Sequence, residues 1–109
     1  MSSDDAGPHP PDNGEEVEVL LQTPGLRVER IVSRGHASPQ EFWYDQDEDE
    51  WVMVLEGAAR LTLRDPDEVL ELGAGDHAWI EAHRQHRVDW TDPARKTIWL
   101  AVFRDQAGG

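Results

Sequence analysis

The apolar segments of this chain are short, and that limits its fold more than any other feature. From Glu15 onward each run of Val, Leu, Ile and Trp ends within a few residues at a turn sequence. Arg34-Gly35-His36, Asp65-Pro66-Asp67, Gly73-Ala74-Gly75-Asp76 and Thr91-Asp92-Pro93 are the punctuation, and Gly, Pro and Asp at such positions favour reversals over regular structure. No apolar period of 3.6 residues persists long enough to support a helix. About eight short strands at close spacing indicate an all-β sandwich or barrel.

Read singly, the segments differ in clarity. Ala59, Leu61 and Leu63 alternate with Arg60, Thr62 and Arg64, the pattern of a strand with one wet face. Trp51-Val52-Met53-Val54-Leu55 is unbroken, which predicts a strand buried on both faces. Leu26 to Ser33 reads as a strand with Leu26, Val28 and Val32 on one parity. Val17 to Leu21 fits a helical turn through Val17, Leu20 and Leu21, and a strand through Val17, Val19 and Leu21. Val69 to Leu72, His77 to Glu81, His86 to Trp90 and Thr97 to Arg104 complete the set.

A chain of 109 residues is one domain. Residues 1–16, rich in Ser, Asp, Gly and Pro, read as a disordered acidic leader. Residues 17–105 form the folded body, and 106–109 a disordered tail. A body of that size buries about 60–65 % of its unfolded surface, so pairing with a second copy would help it. There is no cysteine, which excludes disulfides and thiolate metal sites. No apolar run approaches a membrane span, and the acidic N-terminus is unlike a signal peptide. A cytoplasmic protein is expected. The formal net charge of −13 argues against nucleic acid and anionic lipid as partners.

Two motifs carry a resemblance. Glu50 and Gly57 are separated by six intervening residues, with Tyr44 and Gln46 upstream. Gly75 is followed by Glu81, His83, His86 and Trp90 at fixed spacing, after the turn Leu72-Gly73-Ala74-Gly75-Asp76. From about Leu26 to Arg104 the chain resembles the cupin superfamily. The stretch from Phe42 to Gln46, with Glu50-Trp51 and Ala82-His83-x-x-His86-Arg87-Val88, is similar to small bacterial single-domain cupins of the conserved-barrel type. The resemblance implies a double-stranded β-helix, or jelly-roll, barrel that commonly pairs into a homodimer.

In metal-binding cupins two histidines, a glutamate and a third histidine project into the barrel and hold one divalent ion. The resemblance places Glu50 and His86 at two of these positions, and Tyr44 and Gln46 at the other two. The candidate ligands are therefore Glu50, His86, Gln46 and Tyr44, with His83 as a further histidine. A mixed N/O set of this kind suits Fe, Mn, Ni or Zn. His83 and His86 have opposite parity, so a turn at Arg84-Gln85 would be needed to join them.

Three functions stay open. One is a barrel that binds a divalent metal or small molecule. Another is a metal-assisted oxygenase or isomerase that uses Glu50 and His86. The third is a structural or sensing homodimer packed shut by its five tryptophans. Of the other charged residues, Asp45, Asp47, Glu48 and Asp49 are expected in a solvated loop, and His36 and His77 on the surface.

Overall fold

The computed structural model describes residues 15–105, all of whose regular structure is strand. The eight strands are β1 (Glu15–Thr23), β2 (Leu26–Ser33), β3 (Glu48–Glu56), β4 (Ala58–Leu63), β5 (Glu68–Gly73), β6 (His77–Ile80), β7 (His86–Thr91) and β8 (Thr97–Asp105). They form two antiparallel sheets. The larger has the order β1-β2-β8-β3-β6 and the smaller β5-β4-β7. This is the jelly-roll arrangement the sequence implies. The expected leader and tail fall largely outside the described residues, and the strand structure already begins at Glu15.

The core lies between the sheets. Val52 and Val54 of β3 meet Ala59, Leu61 and Leu63 of β4, Leu72 of β5, Ala78 and Ile80 of β6, and Trp99, Ala101 and Phe103 of β8. Each is at most 6 % exposed. Deleting a methylene-rich side chain from such a core costs roughly 2–5 kcal/mol.

Two glycine-dependent details fix the frame. Gly57 connects β3 to β4 with φ +95°, and a Cβ there would lie 2.5 Å from Thr97 Oγ1 and 2.7 Å from Thr97 Cα. Only glycine fits, which accounts for its place seven positions after Glu50. Gly75 turns the chain with φ +90°, and its N–H bonds to the Val54 carbonyl at 2.7 Å. That bond ties the β5–β6 turn to β3.

The structure settles two open readings and corrects one expectation, that of a β3 buried on both faces. Val17 to Leu21 is strand, because its backbone pairs with β2 from Glu15↔Ser33 onward. Trp51, Met53 and Leu55 are not buried: they lie on the outer surface of the large sheet, with Leu55 46 % exposed. In β2 the valine parity also faces outward, while Glu29, Ile31 and Ser33 face the interior. Both strands break the usual rule that the apolar parity marks the core, because each face of the large sheet is apolar somewhere.

Candidate functional site

A cavity of about 80 Å³ opens between the two sheets, enough for several waters or one small molecule. Its polar wall is Glu15, Glu29, Tyr44, Gln46, Glu50 and His86. Its apolar wall includes Ile31, Val52, Leu61, Ile80 and Val88, with the rings of Trp99 and Phe103. Small-molecule sites combine mostly apolar walls with a few convergent polar groups in this way.

Four of the five candidate ligands converge here. Tyr44 and Gln46 lie on the segment before β3, and that segment is pinned to the start of β7. Tyr44 N–H donates to the His86 carbonyl at 2.8 Å, and His86 N–H donates back to the Tyr44 carbonyl at 3.1 Å. His83 N–H donates to the Gln46 carbonyl at 2.6 Å. The Tyr44 and His86 rings stack with centroids 5.4 Å apart. Asp49 closes the frame from below: its carboxylate accepts the Ala82 N–H at 2.9 Å and an Arg104 N–H at 2.8 Å. Those bonds hold its carboxyl below the usual aspartate range, the Arg104 bond first.

Glu50 and His86 form the chemical centre. The His86 Nε2 to Glu50 Oε1 distance is 3.5 Å, and both side chains are at least nine-tenths buried. Gln46 Nε2 donates to the same Glu50 oxygen at 3.4 Å. On the far side of the ring, His86 Nδ1 lies 3.0 Å from the Arg84 carbonyl. A carbonyl only accepts, so Nδ1 carries a hydrogen and Nε2 is the atom that gains or loses the proton. Burial works against the imidazolium, but the Glu50 carboxylate outweighs it and the His86 pKa is raised above 6.5. Burial pushes the Tyr44 phenol above its ordinary value, with Glu15 and Glu50 adding to the effect. Tyr44 is thus a neutral hydroxyl at physiological pH.

The fifth candidate lies apart. His83 is a loop residue with φ +66°, its side chain is 66 % exposed, and its Nδ1 pairs with Asp45 at 3.0 Å. It stands outside the cavity, and the turn at Arg84-Gln85 does not carry it in. His77 is exposed, as expected. His36 is not: it is 2 % exposed and its Nε2 lies 3.7 Å from Glu15 of β1. The acidic run divides. Asp45 and Asp47 are exposed, whereas Glu48 takes a two-pronged bond from Arg27, and Asp49 is buried. Glu48 and Asp49 are strand residues with partners, so the loop expectation fails for them.

Sequence reasoning missed Glu15 and Glu29 as wall residues. The available signal was parity: Glu29 shares its strand face with Ile31, and Glu15 shares its face with Val17. Trp99 alone among the tryptophans lines the cavity, where its Nε1–H donates to Ser33 Oγ at 3.1 Å. The barrel is therefore not packed shut by its indoles.

The donor set does not suit a divalent ion. Beside one carboxylate and one imidazole, Gln46 and Tyr44 offer only a neutral amide oxygen and a neutral hydroxyl. No three histidine or carboxylate side chains among the described residues converge as a metal site would require. No described helix is long and apolar enough to cross a membrane.

Comparison with known proteins agrees with the jelly-roll fold. The cupin domain family model matches residues 29–103. A Ralstonia eutropha JMP134 protein, whose name carries a provisional assignment as a mannose-6-phosphate isomerase, is 40 % identical. The match covers 96 % of this chain and 97 % of that one, with a TM-score of 0.82. The polyketide cyclase RemF of Streptomyces resistomycificus is 20 % identical over 92 % of this chain and 71 % of its own, at a TM-score of 0.72. KdgF from a Halomonas species is 18 % identical over 92 % and 86 %, at 0.70. The last two show the fold alone. No curated protein matches the chain. With the family model spanning most of the described residues and a close structural relative along nearly its whole length, this chain belongs to the cupin family.

Proposed function

We propose that this protein binds a small organic molecule inside its barrel, anchored by Glu50 and His86 and requiring no metal. The observation that carries the reading is the buried His86–Glu50 contact in the wall of an apolar cavity. With Nε2 and Oε1 3.5 Å apart, the imidazole offers the ligand a donor and the carboxylate an acceptor, and a histidine beside a carboxylate is also suited to moving a proton. Tyr44 adds a neutral hydroxyl, and Trp99 and Phe103 offer flat apolar surface.

The wall also bears on ligand charge. Its charged members are Glu15, Glu29, Glu50 and His86, and no arginine or lysine is among them. Arg27, which pairs with Glu29, is held as well by both oxygens of Glu48. Phosphate recognition needs cationic groups or clustered backbone N–H donors. The Ralstonia eutropha relative's name points to a phosphorylated sugar, but this wall supports a neutral or cationic ligand instead.

The test is calorimetric titration of purified protein with three compounds of one carbon skeleton (isobutanol, isobutylamine and isobutyrate), with mannose 6-phosphate as a fourth probe. Elemental analysis of the same sample accompanies it. The reading expects the alcohol or the amine to bind at least tenfold tighter than either anion, and expects that binding to be lost in Glu50→Gln and in His86→Gln. Tight binding of mannose 6-phosphate, or a stoichiometric metal that disappears in both variants, would overturn it.

A further inference from the structure

The first half of β1 has the alternation of a strand with one buried face, yet that face is not buried. Its Glu16 and Glu18 pair with Arg34 and Arg30 on the outward side. The intervening parity, Glu15, Val17 and Val19, faces inward. Val17 stands opposite Ile31 and Val19 opposite Glu29, and directly opposed residues share a face. Ile31 and Glu29 line the cavity, as do Glu15 and Val17. Valines on an inward parity are normally covered, but Val17 is 45 % exposed and Val19 49 %. Strand number accounts for this: five strands face three, and β1 at the edge of the larger sheet pairs with β2 alone among the described strands. The register slips between Val19 and Leu21, and Leu21 pairs with Val28 on the outward parity, so the inward strip ends there. From Glu15 to Val19 it is about 14 Å long at the usual strand rise.

We infer that this strip is a shelf for the tail of the cavity's ligand, and that the ligand is an open-chain amphiphile. Its head, a primary alcohol or amine, sits at Glu50 and His86, and its unbranched aliphatic chain leaves the barrel over Val17 and Val19. This occupant presupposes that the cavity is the ligand site. Two observations select it. The first is continuity. Val17 belongs both to the cavity wall and to the exposed strip, so a chain too long for a cavity of about 80 Å³ emerges onto apolar surface. The second is width. The strip is one strand wide and carries two valines, far short of the ~800 Å² per partner of a stable protein interface. A single aliphatic chain matches it, whereas a tail ending in a carboxylate or phosphate would run beside Glu15 and Glu29.

The shelf makes chain length a determinant of specificity. A methylene buried fully adds about fourfold in affinity, and one buried on a single side about twofold. A three-carbon compound is held within the cavity. Four further methylenes lie on the shelf, one face against valine and the other in water, and together should add about tenfold.

Calorimetric titration of the full chain with the propyl, pentyl and heptyl members of the primary alcohol and amine series tests it. The proteins are wild type, Val19→Asn, and Val69→Asn on the outer face of the small sheet, where Val69 is 59 % exposed. In the series that binds, wild type and Val69→Asn should gain about tenfold from propyl to heptyl, and Val19→Asn about threefold or less. Proton NMR of wild type reads the same contact without a variant: the heptyl end methyl should show nuclear Overhauser contacts to the Val19 methyls. Equal affinity for propyl and heptyl compounds would overturn the shelf and leave the cavity reading standing. Failure of every member to bind would overturn both. A gain that Val19→Asn keeps in full would also sink the shelf. So would Overhauser contacts from residues 1–14 to Val19 in the ligand-free protein, since the strip would then be filled from within.

Discussion

The two sheets share one core and differ in what they show to solvent. On the small sheet the outward polar side chains pair with one another, beside Val69 and Trp90. Arg60 pairs with Glu71, Arg87 with Asp89, and the Thr62 hydroxyl donates to Asp89. On the large sheet one outward row, Leu21–Val28–Val102–Trp51–Trp79, is apolar throughout, and the rows beside it mix Leu100, Met53, Val32 and Ile98 with charged residues. The division follows the work each sheet does. The small sheet contributes His86, Leu61 and Val88 to the cavity and ends in water. The large sheet contributes Glu15, Glu29, Glu50, Trp99 and Phe103, and its back is largely apolar. The lesson concerns parity: an alternating strand identifies its inner face only if its other face is wet.

The comparison can be broken first where it predicts the largest effect. Leu63→Ala on the inner face of β4, a site 1 % exposed, should cost about 2–5 kcal/mol in urea unfolding. Its neighbour Thr62→Ala, on the outer face, should cost about 1 kcal/mol. Similar losses at the two sites would mean that β4 does not separate core from solvent.

Next in size is the polar wall. Glu50→Ala leaves His86 buried without its carboxylate, and should cost about 3 kcal/mol. The double variant with His86→Leu should recover part of that loss. If the single variant is neutral, the pair is not buried as described.

The same pair predicts a pH effect of known sign. The His86 pKa is raised in the folded state, so its stabilising contribution is fully present below the unfolded value near 6.5. It is lost as pH rises through the raised folded value. Wild type should therefore lose stability relative to Glu50→Gln on going upward from pH 6.5. A parallel pair of curves would remove the coupling.

The smallest effect sharpens the surface side. Arg60 and Glu71 are 42 % and 67 % exposed, so a double-mutant cycle should give well under 1 kcal/mol and vanish in high salt.

Much of this was legible in the sequence because local pattern decides it. Ala59, Leu61 and Leu63 are buried as their alternation predicts, and the Gly57 turn holds the position its spacing implies. Glu50, His86, Tyr44 and Gln46 meet as the cupin register expects. What stayed hidden depends on distant partners. His36 follows a turn glycine, yet it is buried because β1 brings Glu15 against it from twenty-one positions upstream. Glu29 faces a cavity while its valine neighbours face outward, and no local periodicity reports which side of a sheet is covered. Asp49 reads as one acid in a run until Arg104 and the Ala82 N–H are seen to hold it.

The central claim is that the Glu50 carboxylate favours a proton on His86 in a cavity that needs no metal. Nitrogen-15 NMR of the His86 ring across pH tests it most directly. The account predicts a protonated Nδ1 throughout, and an Nε2 that titrates above 6.5 in wild type and lower in Glu50→Gln. An Nε2 that does not titrate until a chelator is added, or one that titrates below 6.5 with Glu50 intact, would contradict it.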